Sequence, residues 1–198
     1  MTTGASAGAW VLLAVMASAA AWGAAPNAGF TLEELMGDLA RVRSAVGKFT
    51  ERKYLSILEA PLDSSGTLVY RAPGRLEKHT LVPERESLVL NDGQLVLENT
   101  GRGWRKSFTL REHPAIWAFV ESIRSTLAGD LPTLQRFYNV ALSGDAADWE
   151  LRLRPREAAI KDVVDEIRIR GAGTWISGIE ILETAGDRSV MTISRDPS

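Results

Sequence analysis

Residues 66–97 read GTLVYRAPGRLEKHTLVPERESLVLNDGQLVL, and the reading of this stretch decides the fold. Four short strands follow one another in it. The first covers 66–71; 75–82 follows the Ala72-Pro73-Gly74 turn, 86–90 follows Pro83, and 94–98 follows Asn91-Asp92-Gly93. Asx-Gly between two alternating apolar runs is the strongest short-range hairpin signal, because a type I′ turn needs two central residues that tolerate positive φ. Such a meander makes one continuous antiparallel surface with two faces, and the residues on its inner face decide what the protein can hold.

Working back towards the start, residues 9–25 carry no charge, and Trp10 to Met16 form an apolar centre followed by small residues at Ala21-Trp22-Gly23 and Gly23-Ala24-Ala25. That is the layout of a secretory signal peptide, expected to be cleaved, and it is short of the roughly 20 apolar residues of a membrane span. The segment 1–8 before it departs from the usual pattern in having no Lys or Arg, only the α-amine. The rest, residues 26–198, suits one domain of about 170 residues with a substantial core. Net charge is −2, with 23 Lys and Arg against 25 Asp and Glu, so no nucleic-acid footprint is present. Cysteine is absent. The exported chain is expected to hold together by packing alone, without disulfides or thiol chemistry.

Thr31 and Glu34 fit a capping box, and Phe30 with Leu35 fit a hydrophobic staple. Leu32, Leu35, Met36, Leu39, Val42 and Val46 keep helical spacing, which predicts a helix of about four turns ended by Gly47. A strand over 48–58 and a loop over 60–65 lead into the opening stretch. Beyond it, Gly101 and Gly103 make a turn into a strand over 104–110. Pro114 opens a helix whose Ile116, Phe119, Val120, Ile123 and Leu127 share a face, with Trp117 at its border and Gly129 as the C′ residue. A helical turn over 131–137 follows. Strands over 138–143 and 148–154 turn at Gly144-Asp145, 155–162 is a connector, 164–170 is a strand, and 174–183 with 189–194 form a last hairpin. In 148–154, Trp149, Leu151 and Leu153 alternate with Glu150, Arg152 and Arg154, giving one buried and one wet face. The fold class is therefore mainly β with a few helices: an unclosed antiparallel β-barrel of roughly ten to eleven strands, with helices lidding the concave hydrophobic face.

No catalytic constellation stands out. His79 reads as a surface residue and His113 as a cap; Ser64, Ser65 and Ser87 lack a nucleophile elbow. Asp162, Asp165 and Glu166 lack His and the EF-hand spacing, so they read as a solvated acidic face. Gly101, Gly103, Gly171 and Gly173 lack phosphate-loop spacing and read as turns. Arg152, Arg154, Arg168 and Arg170 read as the outer face of the sheet, serving solubility and edge protection. The expectation is a protein that is not an enzyme and uses no cofactor or metal. What the chain supplies in quantity is apolar side chains for a concave surface, suited to acyl chains if the filling is loose.

The residues also carry a family likeness. The first helix, Phe49-Thr50-Glu51, Gly66-x-Leu68, Ala72-Pro73, Pro83-x-x-Glu86-Ser87 and Leu88-Val89-Leu90-Asn91-Asp92-Gly93 resemble the LolA-like periplasmic carriers of outer-membrane lipoproteins. Trp149-x-Leu151-x-Leu153-x-Pro155 continues the layout, and the resemblance covers most of residues 30–194. It implies a hydrophobic cavity that takes acyl chains from an inner-membrane donor and passes them to an outer-membrane acceptor. The family's carriers place a lid-latching arginine directly before the proline; here Ala72 stands there and Arg71 one residue earlier. One residue on a strand turns a side chain to the opposite face. That shift, with the short segment after the last strand, points to a relative with another lipid-linked cargo. The expected lining is Leu68, Tyr70, Leu76, Leu88 and Leu90 from the meander, Trp117, Val120, Ile123 and Leu127 from the lid, and Trp149, Leu151 and Leu153. The expected protein is a periplasmic monomer that binds an acylated lipoprotein or lipid-like ligand and no nucleic acid. The rival expectation is a regulatory module that senses lipoproteins or lipids and binds an inner-membrane partner.

Overall fold

The structure, a computed structural model, describes residues 29–112 and 114–195. The expected signal peptide and His113 lie outside the described residues. The elements run α1 (Leu32–Leu39), β1 (Ser44–Tyr54), β2 (Leu62–Arg71), β3 (Arg75–Val82), β4 (Glu86–Asn91), β5 (Gln94–Asn99) and β6 (Trp104–Thr109). After a 3₁₀ turn at Leu110–Glu112 come α2 (Pro114–Ala128), α3 (Leu131–Phe137), β7 (Tyr138–Asp145), β8 (Asp148–Pro155), α4 (Ala158–Lys161), β9 (Val164–Ala172), β10 (Trp175–Glu183) and β11 (Arg188–Arg195).

The eleven strands of the described residues form one antiparallel sheet in the order β6-β5-β4-β3-β2-β1-β11-β10-β9-β8-β7. Each half is a meander, and the two halves join where β1 pairs with β11. The sheet does not close, because β6 and β7 remain as edges. The chain passes between those edges through α2 and α3, so the topology itself carries the helices across the opening. The quoted stretch forms β2–β5 as expected. Asp92 and Gly93 have φ of 49° and 76°, the pair of positive values that a type I′ turn requires.

Local signals explain the helix ends. The Thr31 hydroxyl accepts from the Glu34 amide at 3.1 Å, and the Glu34 carboxylate accepts from the Thr31 amide at 2.9 Å, completing the capping box. At the end of α2, Gly129 takes φ +65°, its amide donates to Thr126 O and the Asp130 amide to Ser125 O, a Schellman closure. A Cβ on Gly129 would lie 2.1 Å from Met36 O, so this glycine also lets α2 pack on α1.

Four boundaries differ from the sequence reading. The first helix ends at Leu39, not near Gly47, and β1 begins at Ser44. Strand β2 pairs with the chain from Ser44 to Lys53 and β11 from Gly47 to Tyr54, and that pairing outweighs the helical spacing of Val42 and Val46. Gly47 therefore lies inside a strand, packed so closely that a Cβ would sit 2.9 Å from Ile193. Strand β2 extends back through 62–65, expected as a loop, because those residues pair with β1 and Asp63 holds Arg52 at 2.7 and 2.9 Å. Conversely, residues 55–58, expected as strand, form a turn closed by the Leu58 amide on Leu55 O. The turn between β7 and β8 falls at Ala146-Ala147, where the Asp145 carboxylate caps the Ala147 and Asp148 amides.

The core occupies one half of the concave side. Leu35, Met36 and Leu39 of α1, Ala118 of α2, Leu134 and Phe137 of α3 and Ile160 of α4 bury Trp149, Leu151, Leu153, Ile167 and Ile169 of β8 and β9. A smaller cluster, Leu90, Leu95 and Leu110, lies under β4 and β5. On the outer face, Arg152, Arg154, Arg168 and Arg170 are spread over Glu150, Glu166 and Glu180 at 2.5–3.8 Å. Glu166, expected in a solvated acidic face, is instead buried beneath Arg154 and Arg168, because alternation along β9 sets it among the arginines of that face.

Candidate functional site

Three of the helices fill the concave side only over β7–β10. Over β1–β4 and β9–β11, α2 stands off the sheet and leaves a cavity of about 590 Å³, within the 300–1,000 Å³ range of small-molecule sites. The roof is the apolar face of α2: Ile116, Phe119, Val120, Ile123 and Leu127, which follow the i, i+3, i+4, i+7 pattern of one helix face. The floor comes from residues that alternate towards the concave face, with Leu68 and Tyr70 on β2, Leu76 on β3 and Leu88 with Leu90 on β4. Register sets these side by side: Tyr70 pairs with Leu76, and Leu76 with Leu90. The opposite wall is Ile169 of β9, Ile176, Ile179 and Ile181 of β10, and Met191 and Ile193 of β11.

Of the residues expected to line the site, Leu68, Tyr70, Leu76, Leu88, Leu90, Val120, Ile123 and Leu127 do border this cavity. Trp117, Trp149, Leu151 and Leu153 lie elsewhere. Trp149, Leu151 and Leu153 are sealed in the filled half by α1, α3 and α4, and the Trp149 indole donates to Gly173 O at 2.8 Å. Trp117 turns away from the roof to meet the Phe137 ring edge-on, with centroids 5.4 Å apart. The wall from β10 and β11 was missed. Its signal was present in the alternation of Ile179 and Ile181, and of Met191 and Ile193, but nothing in the sequence says which strands the helices cover.

The position of the expected latch is informative. Arg71 pairs with Ser44 and Arg75 without a bulge, so it points to the outer face and is exposed. The arginine at the turn comes from the lid instead. Arg124 of α2 lies against Gly74, where a Cβ would meet its Cδ at 3.1 Å. Glu121 holds its guanidinium at 2.8–3.0 Å and Asp130 at 3.3 Å. Nearby, the Tyr70 hydroxyl is buried and has no hydrogen-bond partner. Burial raises its pKa, an effect the charges of Arg124 and Arg43 oppose.

Among the described residues no group of His, Cys, Asp and Glu is placed to hold a metal ion, and no helix is long and apolar enough to cross a membrane. His79 lies on the outer face, 2.9 Å from Glu77.

A family model described as "Outer membrane lipoprotein carrier protein LolA-like" matches residues 24–194. No curated protein matches the chain significantly in sequence. Among solved structures, the LolA superfamily protein NE2245 from Nitrosomonas europaea is 8% identical, with 86% of this chain and 96% of that chain covered and a TM-score of 0.45. A putative outer membrane lipoprotein-sorting protein domain from Vibrio parahaemolyticus is 9% identical, with 84% and 90% covered and a TM-score of 0.43. A chain of the Pseudomonas aeruginosa MucA/MucB complex is 12% identical, with 84% and 58% covered and a TM-score of 0.40.

Proposed function

The chain belongs to the family of LolA-like outer membrane lipoprotein carrier proteins, and on that premise we propose that it is a periplasmic, non-enzymatic carrier. Its cargo is the acyl part of a lipoprotein or of another lipid-linked molecule, taken from a donor at the inner membrane towards an acceptor at the outer membrane. The observation that carries this reading is the hydrocarbon-lined cavity of about 590 Å³ under α2. Moving a dozen methylenes from water into such a site yields about 10 kcal/mol at ~0.8 kcal/mol each. After an association cost of at least about 4 kcal/mol, at most roughly 6 kcal/mol remains, which sets tens of micromolar as the tightest dissociation constant for such a chain. Each further methylene should tighten binding about fourfold until the cavity is full.

Titration of the purified protein with a fluorescent fatty acid tests the proposal. Saturable binding at one site, tightening with chain length, is the expected result. Non-saturable binding, together with no lipid in an organic extract of the protein, would remove it.

One observation favours the rival reading of a partner-binding module. Ile57, 87% exposed, lies with exposed Tyr54, Leu58, Leu62, Leu81 and Val82 at one end of the sheet. A stable complex with an inner-membrane protein in pull-downs that Ile57→Ser abolishes would favour that reading.

A further inference from the structure

The cavity wall is hydrocarbon along most of its length; of the charged residues that border it, Glu51, Lys53, Lys78 and Glu183 gather at one end, while Glu77 turns its carboxylate away to Arg75 and His79. Residues 45, 47, 49, 51 and 53 of β1 alternate towards the concave face. At roughly 3.3 Å per residue, Ala45 and Glu51 lie about 20 Å apart along the strand. The Ala45 end is apolar, with Tyr70 and Leu76 beside it through the sheet register. The other end holds Glu51, Lys53, Lys78 and Ser189, with Glu183 of β10 contributing from the opposite wall.

At that end one carboxylate is sealed and two ammonium groups are presented. Glu51 is 5% exposed. It accepts from the Ser189 hydroxyl at 2.7 Å, from Ser64 at 3.3 Å and from the Lys78 ammonium, with the Lys53 ammonium at 3.9 Å. Burial alone would raise its pKa, yet the Lys78 charge and these hydrogen bonds bring it below the ordinary value. The lysines are more open, with Lys78 25% and Lys53 51% exposed. The Phe49 ring lies 4.9 Å from the Lys78 nitrogen and steadies it from one side. Two ammonium groups surround the Glu51 carboxylate, one more cation than its charge balances, and Glu183 on the opposite wall is the second carboxylate of this end. Only the carboxylate of this group is buried; both ammonium groups border the cavity, where they are placed to meet a ligand.

We propose that the Lys53–Lys78 end is a subsite for an anionic head group, a carboxylate or a phosphate, of the amphiphile whose chain fills the cavity. The proposal rests on the carrier reading and adds an orientation to it: head at Lys53 and Lys78, tail towards Tyr70 and Ile176. Charge-assisted hydrogen bonds from ammonium groups at a partly desolvated site supply the preference.

The test is binding of dodecanoate, dodecyl phosphate and dodecanol to the wild-type protein and to Lys53→Met and Lys78→Met, with Lys78→Arg as the charge-preserving control. The expected result is that at least one anion binds about tenfold tighter than the alcohol. Both Met variants should shrink that ratio to within about twofold while alcohol binding holds. Lys78→Arg should keep the preference, and added salt should erode it. Gain for the phosphate alone identifies a phosphate-bearing head; gain for both anions identifies charge as the determinant. Equal binding of all three ligands by the wild type, or an unchanged ratio in the folded Lys53→Met protein, overturns the subsite and leaves the carrier intact. Binding of none of the three overturns both.

Discussion

Replacing Leu151 and Leu68 by alanine, one at a time, separates the filled half of the barrel from the hollow half. Leu151 is 0% exposed, paired with Leu142 and Ile169 and sealed by the helices. Its truncation removes three carbon groups, about 2.4 kcal/mol in transfer free energy at ~0.8 kcal/mol each. The void left in a packed core brings the total to about 3–4 kcal/mol. For a domain of this size that is about 10 °C in Tm. Leu68 belongs to the same sheet face but borders the open cavity, so part of its surface has no packing partner to lose. Leu68→Ala should cost under about 1.5 kcal/mol, while weakening fatty-acid binding several-fold. Calorimetry of both variants, with a probe titration of each, reads both quantities. Equal stability losses would show that the cavity is packed shut, and the argument for a carrier would go with it.

Other expected outcomes follow from single contacts. A Cβ at residue 66 would lie 1.9 Å from the His79 carbonyl oxygen. Gly66→Ala should therefore split β2 from β3 at its bulge and cost more than about 2 kcal/mol; chemical denaturation showing wild-type stability would disprove the pairing. Arg124→Ala leaves Glu121 and Asp130 without their cation and frees α2 from the Gly74 turn. It should lower stability by about 1–2 kcal/mol and speed probe exchange in stopped flow, and unchanged exchange would show that this contact does not restrain the lid. The Glu51, Glu77, Glu150 and Glu166 carboxyls are all held below their ordinary value of 4.5. Folded, they bind fewer protons than unfolded, so their stabilisation is complete above that value and is lost as the pH falls through the folded values. Tm measured against pH should be flat near neutrality and decline below pH 4.5, and a rise on acidification would contradict these ion pairs.

The fold was largely legible because its signals are local. Asn91-Asp92-Gly93 specifies a turn by itself, Thr31 and Glu34 specify a helix start, and the alternation around Trp149, Leu151 and Leu153 specifies a buried face. Boundaries failed where a distant strand decided them. Val42 and Val46 keep helical spacing, but β2 recruits the chain from Ser44 into the sheet, and β11, some 150 residues away, joins it on the other side from Gly47. The site was legible only in part for the same reason. Leu68 and Leu151 are equivalent as sequence signals, each an apolar residue alternating on a strand. What separates them is where α1, α3 and α4 are set down, a fact of tertiary packing that no periodicity records. The charged corner was equally hidden: Glu51, Lys78 and Ser189 lie on three strands, and they meet only because the sheet sets those strands on one face and the Lys78 side chain reaches across to Glu51.

Trp175 lines the cavity, whereas Trp149 is sealed in the core and Trp117 packs on Phe137. A fatty acid brominated along its chain quenches an indole only on contact, so fluorescence titration of the wild-type and Trp175→Phe proteins reads occupancy of this cavity directly. The account predicts saturable quenching in the wild-type protein that Trp175→Phe largely abolishes while the protein still binds a fluorescent fatty acid. Absence of quenching, or the same quenching in both proteins, would place the acyl chain outside this cavity and contradict the account.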